Sequence, residues 1–216
     1  MTIDRASTPF VLIALIPAAV FFWMWPDGAT RIWLSAALLV LPVAIALFFR
    51  DPDRRPPTDA RVVLAPADGK VMYAGTARPD EAPSGAWQQV TIFLSLLDVH
   101  INRAPVGGRV TRVEYVPGTF RAAFHKDAHR NEHSEIWFDR DGITVVARQV
   151  VWVLARRVVC RVQSGDQLAA GARIGLMKFG SRMDVFMPST ATIEVRVGQQ
   201  VTGGETIIAR LPTRGA

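Results

Sequence analysis

Phe179-Gly180-Ser181-Arg182 places a hydroxyl directly after the residue with the least restricted backbone. In a strained peptide, the Ser181 hydroxyl can attack the Gly180 carbonyl and turn the amide into an ester. β-Elimination then breaks the chain, and hydrolysis of the resulting dehydroalanine leaves a pyruvoyl group at the new amino terminus. Such a ketone condenses with an amine and accepts an electron pair, as bound cofactors do elsewhere. Gly-Ser is also a common turn dipeptide, so the rest of the chain decides its meaning.

Three other stretches carry polar residues among apolar ones. Ala65-Pro-Ala-Asp68-Gly-Lys puts a carboxylate on a turn. Leu94-Ser-Leu-Leu-Asp98-Val-His100-Ile-Asn102-Arg103 ends a strand in a polar cluster, and Asn131-Glu132-His133 closes an irregular segment. Taken singly, Asp68-Gly69 reads as a turn and His100 as a hydrogen-bonded structural histidine. Cys160, the only cysteine, lies in an apolar run and reads as a structural thiol that rules out an internal disulfide.

These residues need elements to position them. Pro9 to Trp25 is seventeen residues without a charge, and Ile32 to Phe49 is eighteen. Each suffices, or nearly so, to cross a hydrocarbon core of roughly 30 Å. Residues 1–50 thus read as a membrane-anchoring helical hairpin. Arg5 precedes it, and Arg50, Arg54 and Arg55 follow, so both ends and the domain beyond are expected on the cytoplasmic side of the cell membrane. Arg50 to Pro57 reads as a stiff polar linker. Residues 51–216 form the second domain. From Arg61 the helical period disappears, and runs such as Val62–Leu64, Gln89–Leu94, Arg109–Val116, Ile143–Ala147 and Val150–Leu154 read as short strands. Phe120 to His133 lacks that alternation and reads as a loop. The expected fold is mainly β, a sandwich or barrel-like hybrid. Gly165-x-x-Leu168-x-x-Gly171-x-x-Ile174 matches Gly198-x-x-Val201-x-x-Gly204-x-x-Ile207, 33 residues apart, which predicts two similar turn-and-strand units.

The net charge is +6. Residues 1–50 hold three arginines against two aspartates, which is +1, so the remainder carries +5. That balance suits an anionic lipid surface. No Lys/Arg-rich run interleaved with aromatics marks a nucleic-acid partner.

Taken together, Phe48-Phe-Arg-Asp-Pro-Asp-Arg54, Ala65-Pro-Ala-Asp-Gly-Lys-Val71, Phe93 to Pro105, Ala155-Arg-Arg157 and Phe179 to Pro188 resemble, in order, the short bacterial phosphatidylserine decarboxylases. The resemblance implies a proenzyme that cuts itself between Gly180 and Ser181. A β chain of residues 1–180 and an α chain of residues 181–216 would result, the latter headed by a pyruvoyl cofactor made from Ser181. Phosphatidylserine would be converted to phosphatidylethanolamine through a Schiff base. The resemblance further implies that Asp68 helps to activate Ser181 and that His100 lies at the decarboxylation site. Longer family members carry a second histidine where this chain has Arg103. Arginine cannot act as a base at neutral pH, so His100 in both roles, one of His125, His129 and His133, or Asp68 acting through water stay open. Arg103 and Arg182 are expected to bind substrate. No metal is expected, and a homodimer stays open. The carboxy-terminal repeat also resembles a duplicated biotinyl or lipoyl carrier fold, with Lys178 where a carrier presents its lysine. A membrane-anchored carrier or adaptor is therefore the alternative.

Overall fold

The computed structural model describes residues 1–25, 28–119, 131–151, 158–178 and 181–212. The chain divides into two compact units, Met1–Asp53 and Arg54–Ala216.

In the first unit, β1 (Thr2–Ile3) and a 3-10 turn (Arg5–Ser7) lead into α1 (Thr8–Met24). Two further helices follow, α2 (Ala29–Leu38) and α3 (Val40–Phe48), then β2 (Arg50–Asp51). Pro42 lacks the N–H that the Leu38 carbonyl would accept, and the second apolar run breaks there into α2 and α3. Arg5–Met24 and Ala29–Phe48 are each long and apolar enough to cross a membrane, which weakly suggests membrane association. The hairpin is closed at its base. Thr2 pairs with Asp51 and Ile3 with Arg50, Asp4 N donates to Phe49 O at 2.9 Å, and Phe10 stacks on Phe49.

The second unit is built of short strands. They are β3 (Val62–Leu64), β4 (Gly69–Thr76), β5 (Trp87–Leu94), β6 (Ile101–Arg103), β7 (Gly108–Val116), β8 (His133–Arg140) and β9 (Ile143–Val150). After them come β10 (Val158–Cys160), β11 (Gln167–Leu168), β12 (Arg173–Met177), β13 (Ser181–Pro188), β14 (Thr192–Ile193), β15 (Gln200–Val201) and β16 (Ile207–Arg210). A curled eight-stranded antiparallel sheet runs in the order β11-β7-β8-β9-β13-β5-β4-β15. Two three-stranded sheets, β10-β12-β6 and β14-β16-β3, complete the unit. Alternate residues of the large sheet, among them Val90, Ile92, Leu94, Met183, Val185 and Met187, supply one face of a core that Ile174, Met177, Ile208 and Ala209 help to fill.

The strand order reads alike from both ends, and the hydrogen bonds repeat with it to within one residue. Ala65 N donates to Thr206 O and Gly204 N to Ala65 O, both at 2.8 Å. In the other half Ala104 N donates to Ala172 O at 2.7 Å and Gly171 N to Ala104 O at 2.9 Å. Across the centre, Arg103 N donates to Pro66 O and Leu64 N to Pro105 O, each at 2.8 Å. The glycines of the sequence repeat take matching left-handed conformations, with φ 76° at Gly171 and 78° at Gly204, 102° at Gly165 and 91° at Gly198. A side chain would be strained at all four. The fold is therefore an internal duplication with its local axis beside the Val185–Ala147 pair of β13 and β9.

Three expectations need correction or restriction. Arg54 to Pro57 is no free linker: Arg55 N donates to Glu205 Oε1 at 2.8 Å, and Pro56 packs on Gly171. His133 opens β8 instead of closing a loop. The segment Phe120–Arg130 and the strand expected at Val150–Leu154, beyond Val151, lie outside the described residues.

Candidate active site

Ser181 is the first residue of β13, fully buried, with Leu94 of β5 as its Cα partner. Strand alternation turns its side chain to the core face, with Met183 and Val185. The Ser181 Oγ has no hydrogen-bond partner there among the described residues. A fully buried orphan hydroxyl is rare and costs free energy. Phe179 and Gly180 lie outside the described residues.

Gln149 shares that face, since it pairs with Met183, two residues along β13. Its Nε2 donates to Asn102 Oδ1 at 2.7 Å, joining the large sheet to β6. Both amides are fully buried, and Asn102 Nδ2 and Gln149 Oε1 are left unpaired among the described residues. Flipping both amides leaves the same surplus, one donor and one acceptor. Alternation places His100, the residue before β6, on the same side as Asn102. His100 is buried, and its carbonyl accepts from Met177 N at 3.2 Å. Its Nδ1 lies 2.9 Å from the Asp98 carbonyl. A carbonyl only accepts, so Nδ1 carries the proton, and in the neutral form of the ring Nε2 would be the basic nitrogen.

Asp68 sits on the β3–β4 turn. Its Oδ1 accepts from Gly203 N at 2.7 Å, and Arg54 Nη2 donates to both oxygens at 2.9 and 2.7 Å. Burial nevertheless outweighs Gly203 and Arg54 and pushes the Asp68 carboxyl above its ordinary value. Arg103 is buried; its Nη1 donates to Gly171 O at 3.1 Å, and Gly204 packs against its Cδ. The repeat glycines thus hold Arg103 on one side and, through the adjoining Gly203, Asp68 on the other.

Arg182 lies on the opposite face of β13 from Ser181. Its Nε donates to Asp184 Oδ1 at 2.7 Å and its Nη2 to Glu81 Oε2. Glu81 also accepts from Gln89 Nε2 at 3.1 Å. Beside them Arg148 donates to Glu135 Oε1 through Nε at 2.9 Å and Nη2 at 2.6 Å, and to the Glu81 carbonyl. This face is a buried ion network behind the serine. His133 belongs to it: it pairs with Val150, the partner of Arg182, and its Nδ1 donates to Asn131 O at 2.7 Å. Burial lowers its pKa and keeps it neutral. His125 and His129 lie outside the described residues. Cys160 is half-buried, and burial pushes its thiol up.

The duplication shows how selective this arrangement is. Carried through the register, Arg61, Gly107 and Ile143 occupy the places equivalent to His100, Asp68 and Ser181. The three residues come from both copies, and the equivalent places carry no imidazole, carboxylate or hydroxyl.

Residues 43–209 match the phosphatidylserine decarboxylase family. The chain belongs to that family. Proteins named phosphatidylserine decarboxylase proenzyme show the same kinship along most of the chain. The one from Pelodictyon phaeoclathratiforme is 40% identical over 199 residues, 92% of each chain. That of Mycolicibacterium smegmatis is 40% identical over 211 residues, 95% of this chain and 88% of its own. That of Chlorobium chlorochromatii is 42% identical over 182 residues, 83% of this chain and 85% of its own. Within this decarboxylase family setting, sequence reasoning had singled out Ser181, Asp68 and His100 and missed Arg54, Asn102 and Gln149 as partners. Arg54 and Asn102 both stood inside stretches that carried the resemblance; Gln149 stood in none.

Proposed function

We propose that the chain is a proenzyme that cuts itself between Gly180 and Ser181 and then decarboxylates phosphatidylserine to phosphatidylethanolamine. The observation that carries this reading is the buried, unpartnered Ser181 hydroxyl, at the start of a strand, in a member of this family. In processing, the Ser181 Oγ gives up its proton and attacks the Gly180 carbonyl carbon. The amide becomes an ester, and elimination frees residues 1–180 with a carboxylate end. Water then displaces ammonia from residue 181. His100 Nε2 is the favoured proton acceptor, because the Asp98 carbonyl holds the ring in the right tautomer. Asp68, less acidic than an ordinary aspartate, supports that transfer.

A pyruvoyl group at residue 181 supplies a ketone that takes up the substrate amine and accepts the electron pair left by carbon dioxide. The buried residues on that face fit that group: Asn102 Nδ2 and Gln149 Oε1 offer a donor and an acceptor away from water. His100 returns a proton to the carbon that lost carbon dioxide. Arg103 offers a planar fork to the substrate phosphate or carboxylate, while Arg182 stiffens the strand that carries residue 181. The apolar hairpin of residues 1–50 holds the enzyme at the cell membrane, and its arginine flanks favour the cytoplasmic side. A carrier reading has less support, since Lys178 is half-buried and is not a hairpin tip.

Intact mass of the purified protein tests this. Two fragments, 1–180 and 181–216, are expected, the smaller without a free amino group. A fully active yet uncut chain would overturn the reading.

A further inference from the structure

The six residues between β5 and β6 contain an apolar tip on a polar base. Ser95 N and Ser95 Oγ both donate to Asp98 Oδ2 at 2.7 Å, and Asp98 N donates back to Ser95 O at 3.1 Å. The turn so fastened presents Leu96, 52% exposed, and Leu97, 85% exposed, at its two central positions. Those positions ordinarily take Gly, Pro, Asn, Asp or Ser, for conformational and solvation reasons. Two leucines held out by three hydrogen bonds are therefore a feature to explain.

Their position points to an explanation. The turn begins one residue after Leu94, the strand partner of Ser181, and ends two residues before His100. Lys70 is exposed beside it, as the partner of Phe93. A protein partner is a poor fit: such contacts bury roughly 800 Å² on each side and centre on Trp, Tyr or Arg. A narrow aliphatic tip beside a lysine suits a fluid, anionic lipid interface.

We infer that Leu96 and Leu97 enter the bilayer interface next to the reacting serine, so that a phospholipid head group reaches His100 and residue 181 while its acyl chains stay in the membrane. This rests on the decarboxylase reading above. The apolar hairpin keeps the chain near the membrane, whereas the leucine turn docks the site on it.

The full chain with Leu96→Ser and Leu97→Ser, reconstituted in phosphatidylcholine vesicles, tests the inference. Two substrates are compared: long-chain phosphatidylserine in the same bilayer, and a short-chain phosphatidylserine supplied as dissolved monomers. We expect turnover of the bilayer substrate to fall about tenfold or more, with cutting and monomer turnover unchanged. Equal losses on both substrates, or none on either, would overturn it. A second measurement is independent of turnover. The full chain with Leu97→Trp should show indole emission quenched by vesicles whose acyl chains carry bromine, over and above the quenching of the wild-type tryptophans, three of which lie in the hairpin. Absence of this added quenching overturns the insertion even if the activity data agree. If wild type decarboxylates neither substrate, the functional reading fails, and the fluorescence still reports on the turn.

Discussion

Asn102 and Gln149 meet amide to amide at 2.7 Å across the space between β6 and β9, and each keeps one polar atom unpaired. Neither is exposed to water. Two leftover hydrogen-bonding atoms on the sheet face that carries the Ser181 hydroxyl are a cost to the fold that asks for an explanation. Replacing one partner alone strands the other, which costs about 1–3 kcal/mol, whereas replacing both with apolar residues of similar size is nearly neutral. Asn102→Leu should thus lower both the thermal midpoint and turnover. The double variant Asn102→Leu, Gln149→Leu should regain the midpoint but not the rate, which should stay about 10²–10³-fold down. Recovery of both together would make the pair structural only.

Ser181→Ala should remain a single uncut band without activity, because nothing is left to attack Gly180. Ser181→Cys retains a nucleophile, and slow cutting is expected. His100→Ala separates the two steps. If His100 serves both, the variant stays uncut; if processing has another base, the variant is cut and its turnover falls about 10²–10⁴-fold. A fully cut His100→Ala enzyme with normal turnover would remove His100 from the mechanism.

The acid behaviour follows from the face behind the serine. Burial alone would raise the Glu81 carboxyl, but Arg182, with hydrogen bonds from Gln89 and Arg78, outweighs it and holds the group below its ordinary value. Burial lowers the pKa of His133. In both cases the unfolded chain binds a proton that the folded chain refuses, so stability is lost as pH falls. The His133 contribution begins to fade below about pH 6.5 and that of Glu81 below about pH 4.5. Thermal midpoints over this range should show two declines, and His133→Gln should remove the first. Glu81→Gln should cost about 3 kcal/mol at neutral pH, since it leaves Arg182 with Asp184 as its remaining carboxylate.

Much of this was legible in the chain because the relevant signals are local. The helices followed from two uncharged runs, the strands from alternation, and the duplicated turns from glycines that keep their spacing. The second half of the duplication was hidden: Ala65-Pro66-Ala67 answers Ala104-Pro105-Val106, but Asp68 stands where the other copy has Gly107. Contacts between distant residues were hidden too. Asn102 and Gln149 lie 47 positions apart, and Glu81 and Arg182 lie 101 apart; no period or motif joins such pairs. Arg182 shows the limit of reading a motif without its strand. It follows Ser181 directly, and alternation for that very reason turns it to the opposite face.

Arg54 and Asp68 provide the last test, because their pairing sets how strong a base Asp68 is. Burial pushes the Asp68 carboxyl up, and the Arg54 fork and the Gly203 amide hold it back. Removing the fork leaves burial less opposed, so the carboxyl rises further and is protonated over more of the acid range. Arg54→Gln should therefore move the acid limb of self-cleavage to higher pH, beyond merely slowing it. Arg54→Lys keeps the charge without the planar fork and should restore part of the shift. The measurement is the time course of cutting of freshly synthesised precursor across a pH series. A uniform slowing in Arg54→Gln, with the limb unmoved, would confine the pair to holding Arg54 against the β3–β4 turn.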